Sequence, residues 1–167
     1  MAQPPEKAGA ESTGAAGGKD DGGVPLTTGL RWGVKASLRT YVVGVGGDFT
    51  VDPPARLEDG VPVLPRISDT EETRGRVLRF GGAIHIQAHG GMMNVHWTNL
   101  QIEFTEEASR LTVAGADPDA GRISIADLTA IEGSRLTFRA ALTVDAAAGF
   151  GFTYPVGTEL DEVVLTA

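Results

Sequence analysis

Four side chains in this sequence could assemble a metal-centred chemistry: Tyr41, His85, His89 and His96. Cysteine is absent, which removes thiolate zinc sites, iron–sulfur clusters, disulfides and cysteine nucleophiles together. A strand rises ~3.3 Å per residue, so His85 and His89 on one strand face would lie roughly 13 Å apart and could share an ion only if the strand bent. His85 and His96 become cross-strand neighbours, with Cβ atoms about 5 Å apart, if Gly90-Gly91 turns a hairpin. That pair could hold a metal, but a zinc site needs a third protein ligand and no local spacing supplies one. A solvent-facing polar pair is the plainer reading.

Tyr41 and His89 suggest a different metal. Phenolate is a hard donor suited to ferric iron, and tyrosine is a known haem ligand. An unperturbed tyrosine has a pKa of ~10, so ligation needs help in removing the proton. A histidine hydrogen-bonded to the phenol oxygen gives that help and orients the ring. The same bond makes release sensitive to protonation. Met92, beside His89 on an otherwise polar strand face, would make sense against a porphyrin. Taken alone, a tyrosine at a helix end is more often a core or rim residue.

The elements that would position these groups are legible from periodicity. Leu30, Val34, Leu38 and Tyr41 follow helical spacing and predict a helix over about 29–42, with Thr27 and Thr28 available as caps. Arg31, Lys35 and Arg39 form a second stripe, either a solvated face or a basic edge for an anionic ligand. Val77 to His89 alternates as one half-buried strand, Leu78, Phe80, Ile84, Ile86 and Ala88 on one side and Arg79, His85, Gln87 and His89 on the other. Pairing across Gly90-Gly91 sets Met92 opposite His89, Asn94 opposite Gln87, Val95 opposite Ile86, His96 opposite His85 and Trp97 opposite Ile84. A parity shift beyond Thr98 predicts a bulge near Asn99. Further strands are expected at Leu111–Val113, Ile123–Ile125, Arg135–Val144 and Val163–Leu165, with an irregular excursion from Pro53-Pro54 to Pro62 and Pro65. The expected fold is mainly β, an antiparallel sandwich or curved sheet with one N-terminal helix.

Bulk properties narrow the function. The chain has 167 residues and a formal net charge of -8, which argues against nonspecific binding to nucleic acid or to an anionic membrane. No apolar run approaches the ~20 residues that span a bilayer as a helix. Met1 to about Val24 is rich in Ala, Gly and charged residues, so 1–25 is expected to be a disordered tail ahead of one domain over 26–167. The tail lacks the pattern of a signal peptide. No Gly-x-Ser-x-Gly, His-Glu-x-x-His or spaced carboxylate pair points to hydrolysis. Gly44-x-Gly46-Gly47 lacks a following helix and does not read as a phosphate loop. Asp117 to Gly121 is too short for an EF-hand loop and reads as a turn.

Three stretches resemble the HtaA-type haem-transport-associated domain. They are Trp32-Gly33-Val34-Lys35-x-Ser37-Leu38-Arg39-x-Tyr41, then Gly82 to Gly91, and Phe152-Thr153-Tyr154-Pro155-Val156-Gly157-Thr158-Glu159-Leu160-Asp161. The resemblance implies a non-enzymatic β domain that binds ferric haem at the surface of high-GC Gram-positive bacteria and passes it between a haem donor and a transporter's binding protein. It places the axial ligand on Tyr41 and the supporting histidine on His89. Beside them, Met92 and Phe152 are read from this sequence as haem contacts, and Lys35 or Arg39 of the basic stripe as partners for the propionates. It also implies a secreted or cell-envelope location. A homodimer sharing one haem across an open face stays open, as do a metal-dependent enzyme built on His85 and His96 and an interaction module with no ligand.

Overall fold

In the computed structural model the described residues are 28–73, 75–115, 119 and 121–166. The expected tail, Thr27 and most of the Asp117–Gly121 turn lie outside them. Among the described residues, strands and α-helices follow in the order β1 (Gly29–Arg31), α1 (Ala36–Gly44), β2 (Asp48–Asp52), β3 (Arg56–Glu58), β4 (Val61–Glu72), β5 (Gly75–Phe80), β6 (Ala83–Ala88), β7 (Met93–Thr98), β8 (Gln101–Thr105), β9 (Ser109–Ala114), β10 (Arg122–Ala130), β11 (Thr137–Leu142), α2 (Val144–Gly149) and β12 (Glu159–Thr166).

Eight strands close on themselves. The order β1-β12-β11-β10-β9-β8-β5-β4 returns to β1, every pairing is antiparallel, and β3 adds to the free end of β4. A second sheet of three strands, β2-β6-β7, carries the histidines. The expected curvature is therefore carried through to a closed barrel. Closure removes the sheet edges that an open curved sheet would leave unpaired. One apolar core joins both sheets, with Leu30, Leu64, Leu78, Ile102 and Leu111 from the barrel meeting Ile84, Ile86, Val95 and Trp97 from the smaller sheet.

Several expectations are corrected here. Gly29–Arg31 is a strand and the helix begins only at Ala36, because Leu30 pairs between Leu165 and Leu64. Leu30, Val34 and Leu38 are all buried as expected, but on three different backbones: strand, a left-handed residue at φ 66°, and helix. The run Val77–His89 is two strands in different sheets, divided at Gly81-Gly82. The parity shift at Asn99 (φ 52°) is likewise the chain crossing back to the barrel, not a bulge. Pro62 and Pro65 sit within the long strand β4. Val144 ends no strand: it opens α2, capped by the Thr143 hydroxyl accepting from the Ala146 amide at 3.2 Å. The hairpin register is as expected from Ile84↔Trp97 to Gln87↔Asn94.

Charge organises the barrel's outer wall. Asp69 accepts from the Arg76 guanidinium at 2.8 and 2.6 Å, in a fork that holds its carboxyl below the usual range against the opposing effect of burial. Its folded pKa is depressed, so its stabilisation is present above the unfolded value of ~3.9 and is lost as pH falls through the folded value. Asp69→Asn should lower urea stability at neutral pH, and the gap from the parent should close as the buffer is taken below pH ~4. A constant gap across that range would contradict the assignment.

The two glycine positions with φ near +97° make a second test. A Cβ on Gly82 would meet Ala55 Cβ at 2.5 Å and the Asp52 carbonyl oxygen at 2.7 Å, whereas one on Gly91 would meet nothing within 4 Å. Gly91→Ala should cost about 1–2 kcal/mol, the conformational term alone. Gly82→Ala should cost distinctly more in the same urea unfolding series, since overpacking typically adds about 1–3 kcal/mol.

Candidate functional site

Tyr41 lies on the solvent side of α1. Leu38 and Val42, one turn apart, face the core, which leaves Tyr41 41% exposed and Val43 and Val45 uncovered nearby. The N-terminus of α1 has no side-chain cap of its own. Asp161 of β12 replaces it: Oδ1 accepts from the Ala36 amide at 3.0 Å and Oδ2 accepts from Arg39 Nη1 at 2.8 Å. Arg39 Nη1 also donates to the Gly33 carbonyl at 2.8 Å. A carboxylate at a helix N-terminus satisfies an orphan amide and meets the positive end of the helix dipole.

The far end of α1 is set against β6. The amides of Val45, Gly46 and Gly47 donate back to the carbonyls of Tyr41, Val43 and Val42, and Gly46 (φ 80°) turns the chain into β2. Gly47 then approaches β6 so closely that a Cβ would stand 2.2 Å from the Gln87 carbonyl oxygen and 3.0 Å from Ala88 Cα. Only glycine permits this contact.

His89 follows directly. After Ala88 the chain leaves the strand through His89 (φ 56°), Gly90 (φ 65°) and Gly91 (φ 97°), three successive left-handed residues. The connection from Ala88 to Met93 thus spans four residues, replacing the expected two-residue turn, and Met92 does not pair with His89. The left-handed backbone takes His89 out of the alternation that holds His85 and Gln87. It brings Nε2 to 2.7 Å from Tyr41 Oη, with ring centroids 5.8 Å apart and planes tilted by 54°. A neutral imidazole accepting at Nε2 takes the phenol O–H. In this arrangement the phenol has a base already in line.

The remaining predicted residues divide. Met92 is 91% exposed in the His89 turn, its amide donating to the His89 carbonyl. Phe152 is 60% exposed at φ 57°, on the loop after α2. That loop is anchored from beneath by stacked and edge-on rings: Trp32 on Trp97 at 5.9 Å, Trp97 on Phe150 at 5.8 Å, Phe150 on Tyr154 at 6.1 Å. Lys35 and Arg39, the expected propionate partners, already have acceptors within the protein. Lys35 Nζ donates to the Glu159 carbonyl at 3.0 Å, and Arg39 is held by Asp161 and Gly33. Both cations are turned toward β12 by acceptors that only the folded barrel supplies.

His85 and His96 do meet across β6 and β7, with ring centroids 5.0 Å apart. Each Nε2 has another partner, Asn94 Oδ1 at 2.8 Å and Asp52 Oδ2 at 3.1 Å. Among the described residues no group of three or more His, Cys, Asp or Glu is arranged to hold a metal ion. Sequence reasoning missed Gly47 and the role of Asp161. Gly47 stood in a glycine run judged only for phosphate, and Asp161 stood in a motif with no partner in view.

A closed antiparallel barrel that presents a phenol–imidazole pair from a helix end and a left-handed turn defines a small β-barrel binding domain. The chain belongs to the HtaA family: the family model described as Htaa matches residues 27–166. Among solved structures it is similar to the N-terminal domain of HtaA from Corynebacterium glutamicum, at 20% identity and a TM-score of 0.70, covering 84% of this chain and 97% of that one. The C-terminal domain of the same protein aligns at 23% identity and a TM-score of 0.67, covering 86% and 96%. The haem-binding protein HtaB of that organism aligns at 18% identity and a TM-score of 0.61, covering 83% and 91%. At these identities the likeness establishes the fold. No curated protein matches the chain.

Gly44 and Gly47 separate helix propensity from seating. A Cβ on Gly44 meets nothing within 4 Å, so Gly44→Ala should be neutral or stabilising by up to about 1 kcal/mol. Gly47→Ala forces α1 away from β6 and should cost about 1–3 kcal/mol. It should also shift the His89 imidazole resonances in an NMR spectrum while leaving those of His85 and His96 in place. An unshifted His89 would show that Gly47 does not seat the pair.

Proposed function

We propose that this chain is a non-enzymatic haem-binding domain of bacterial haem acquisition, which takes ferric haem on Tyr41 and yields it to an uptake partner. The observation that carries this reading is the 2.7 Å contact between Tyr41 Oη and His89 Nε2 on an exposed surface. Family membership and the likeness in fold to the haem-binding protein HtaB support it. So does the exposure of the apolar side chains Val43, Val45, Met92 and Phe152.

Haem enters here as cargo, and its iron supplies a Lewis acid for an anionic oxygen. The protein's part is to provide that anion. Tyr41 Oη gives up its proton to His89 Nε2 or through it to solvent, and His89 then donates back to the phenolate, fixing the ring. Returning the proton to Tyr41 Oη restores a neutral phenol, a far weaker donor to iron, so capture and release use one bond in two protonation states. Met92 and Phe152 offer apolar cover for the macrocycle. Lys35 and Arg39 are held toward β12 and keep further donors, so they are the candidate cations for the propionates. A secreted or envelope location, a donor and an acceptor protein, and a haem-sharing homodimer belong to this proposal through the family resemblance.

Haemin titration into the apoprotein tests the assignment. The parent should develop the visible spectrum of a high-spin ferric tyrosinate, and Tyr41→Phe should lose that signature. His89→Ala should retain it with affinity lowered roughly 10–100-fold, the usual effect of removing a hydrogen-bonded supporting residue. Haem binding and spectrum unchanged in Tyr41→Phe would sink the ligand assignment.

A further inference from the structure

The Tyr41 helix is nine residues long, and tertiary contacts must place it because so short a helix is marginal alone. Its N-terminus meets one side chain of the last strand. Asp161 accepts from the Ala36 amide with one oxygen and from Arg39 with the other. Its backbone is engaged as fully, the amide donating to the Val34 carbonyl at 2.8 Å and the carbonyl accepting from Trp32 Nε1 at 2.9 Å. Thus one residue binds Trp32, Val34, Ala36 and Arg39, which together cover the approach to the helix and its first turn. The approach is held against its own preference. Val34, a β-branched residue fully buried at φ 66°, occupies a conformation such residues avoid, at a cost of order 1–3 kcal/mol, and persists only where the surroundings impose it. The approach is also tight: a Cβ on Gly33 would stand 2.2 Å from Arg39 Nη1.

Rotation of α1 about its axis, or sliding along it, would carry Tyr41 Oη away from His89. The C-terminal glycine seat fixes one end of the helix; at the other, Asp161 meets both the Ala36 amide and Arg39, next to the Lys35 bond to the Glu159 carbonyl. We propose that Asp161 is a positioning residue for Tyr41. Its carboxylate, shared between the helix N-terminus and Arg39, sets the rotation and height of α1 at which the phenol meets His89. Because Asp161 lies on the strand that pairs with β1, this also links the geometry of the pair to closure of the barrel. The inference rests on the haem reading only for its second readout.

The first readout needs no haem. In NMR spectra of the apoprotein, Asp161→Ala and Arg39→Gln should each shift the His89 imidazole and Tyr41 ring resonances. His85 and His96, whose partners lie elsewhere, should keep theirs. Asp161→Asn retains an oxygen for the Ala36 amide and should shift them less than Asp161→Ala. Circular dichroism and the urea midpoint identify any variant that fails to fold, and the Asn variant is the one that keeps the test decisive should the Ala variant do so. The second readout is haemin binding. Asp161→Ala should weaken it roughly tenfold and alter the ferric tyrosinate band, with Asp161→Asn intermediate. If the folded variants leave the His89 and Tyr41 resonances where they are in the parent, the proposal is overturned. If those resonances move while haemin binds Tyr41→Phe as it binds the parent, Asp161 still positions the pair and only the haem ligand assignment fails.

Discussion

The structure depends on a seam three residues long. β1 supplies only Gly29, Leu30 and Arg31, yet it pairs with β12 on one side and β4 on the other and so converts a curved sheet into a closed barrel. Leu30 sits between Leu165 and Leu64, all three buried, and fully burying such a side chain contributes about 1.5–3 kcal/mol. The close approach at Gly29, where a Cβ would stand 2.8 Å from the Leu64 carbonyl oxygen, keeps the strands at pairing distance. The chain leaves this seam as Trp32, whose amide donates to the Pro62 carbonyl and whose indole donates to Asp161, before it reaches the helix. Fold closure and site geometry therefore share the same few residues. A chain that failed to close the barrel would also fail to orient Tyr41.

What could be read in the sequence follows from how far each signal extends along the chain. The register of the histidine hairpin was legible because strict alternation of apolar and polar residues on both strands leaves one pairing that buries Ile84, Ile86, Val95 and Trp97 together. The exit from the hairpin was less so. A Gly-Gly pair suggests two central residues, and nothing in a one-dimensional pattern announces that His89 itself takes a left-handed conformation. The passages between sheets were hidden for a different reason. Both sheets face one core, so Phe80 and Ile84 point inward on either side of Gly81-Gly82 and the alternation runs on across a break.

Helical spacing misled for a related reason. Leu30, Val34 and Leu38 are four apart and all buried, but a strand, a strained corner and a helix in succession can bury the same three positions. Pattern reports burial first and backbone second. The second helix went the other way. Val144 closes an alternating run, and that run concealed the Thr143 cap and the three alanines that favour helix after it. Barrel closure was not legible at all, since β1 is shorter than any window in which periodicity can be measured.

The candidate site was legible in its parts and illegible in its supports. A tyrosine, a histidine and their chemistry can be named from residue types, whereas the 2.7 Å between them depends on Gly47 and on a carboxylate 120 residues from Tyr41 in the chain. The support is uneven. Trp32, Leu38, Val42 and Trp97 form a buried base, while Tyr41, Met92 and Phe152 stand at the surface. A pair carried on such a base is held in one geometry by packing beneath it and not by enclosure. The division of labour is physical: buried side chains hold the backbone of α1 and the histidine hairpin, and the polar pair they carry stays at the surface.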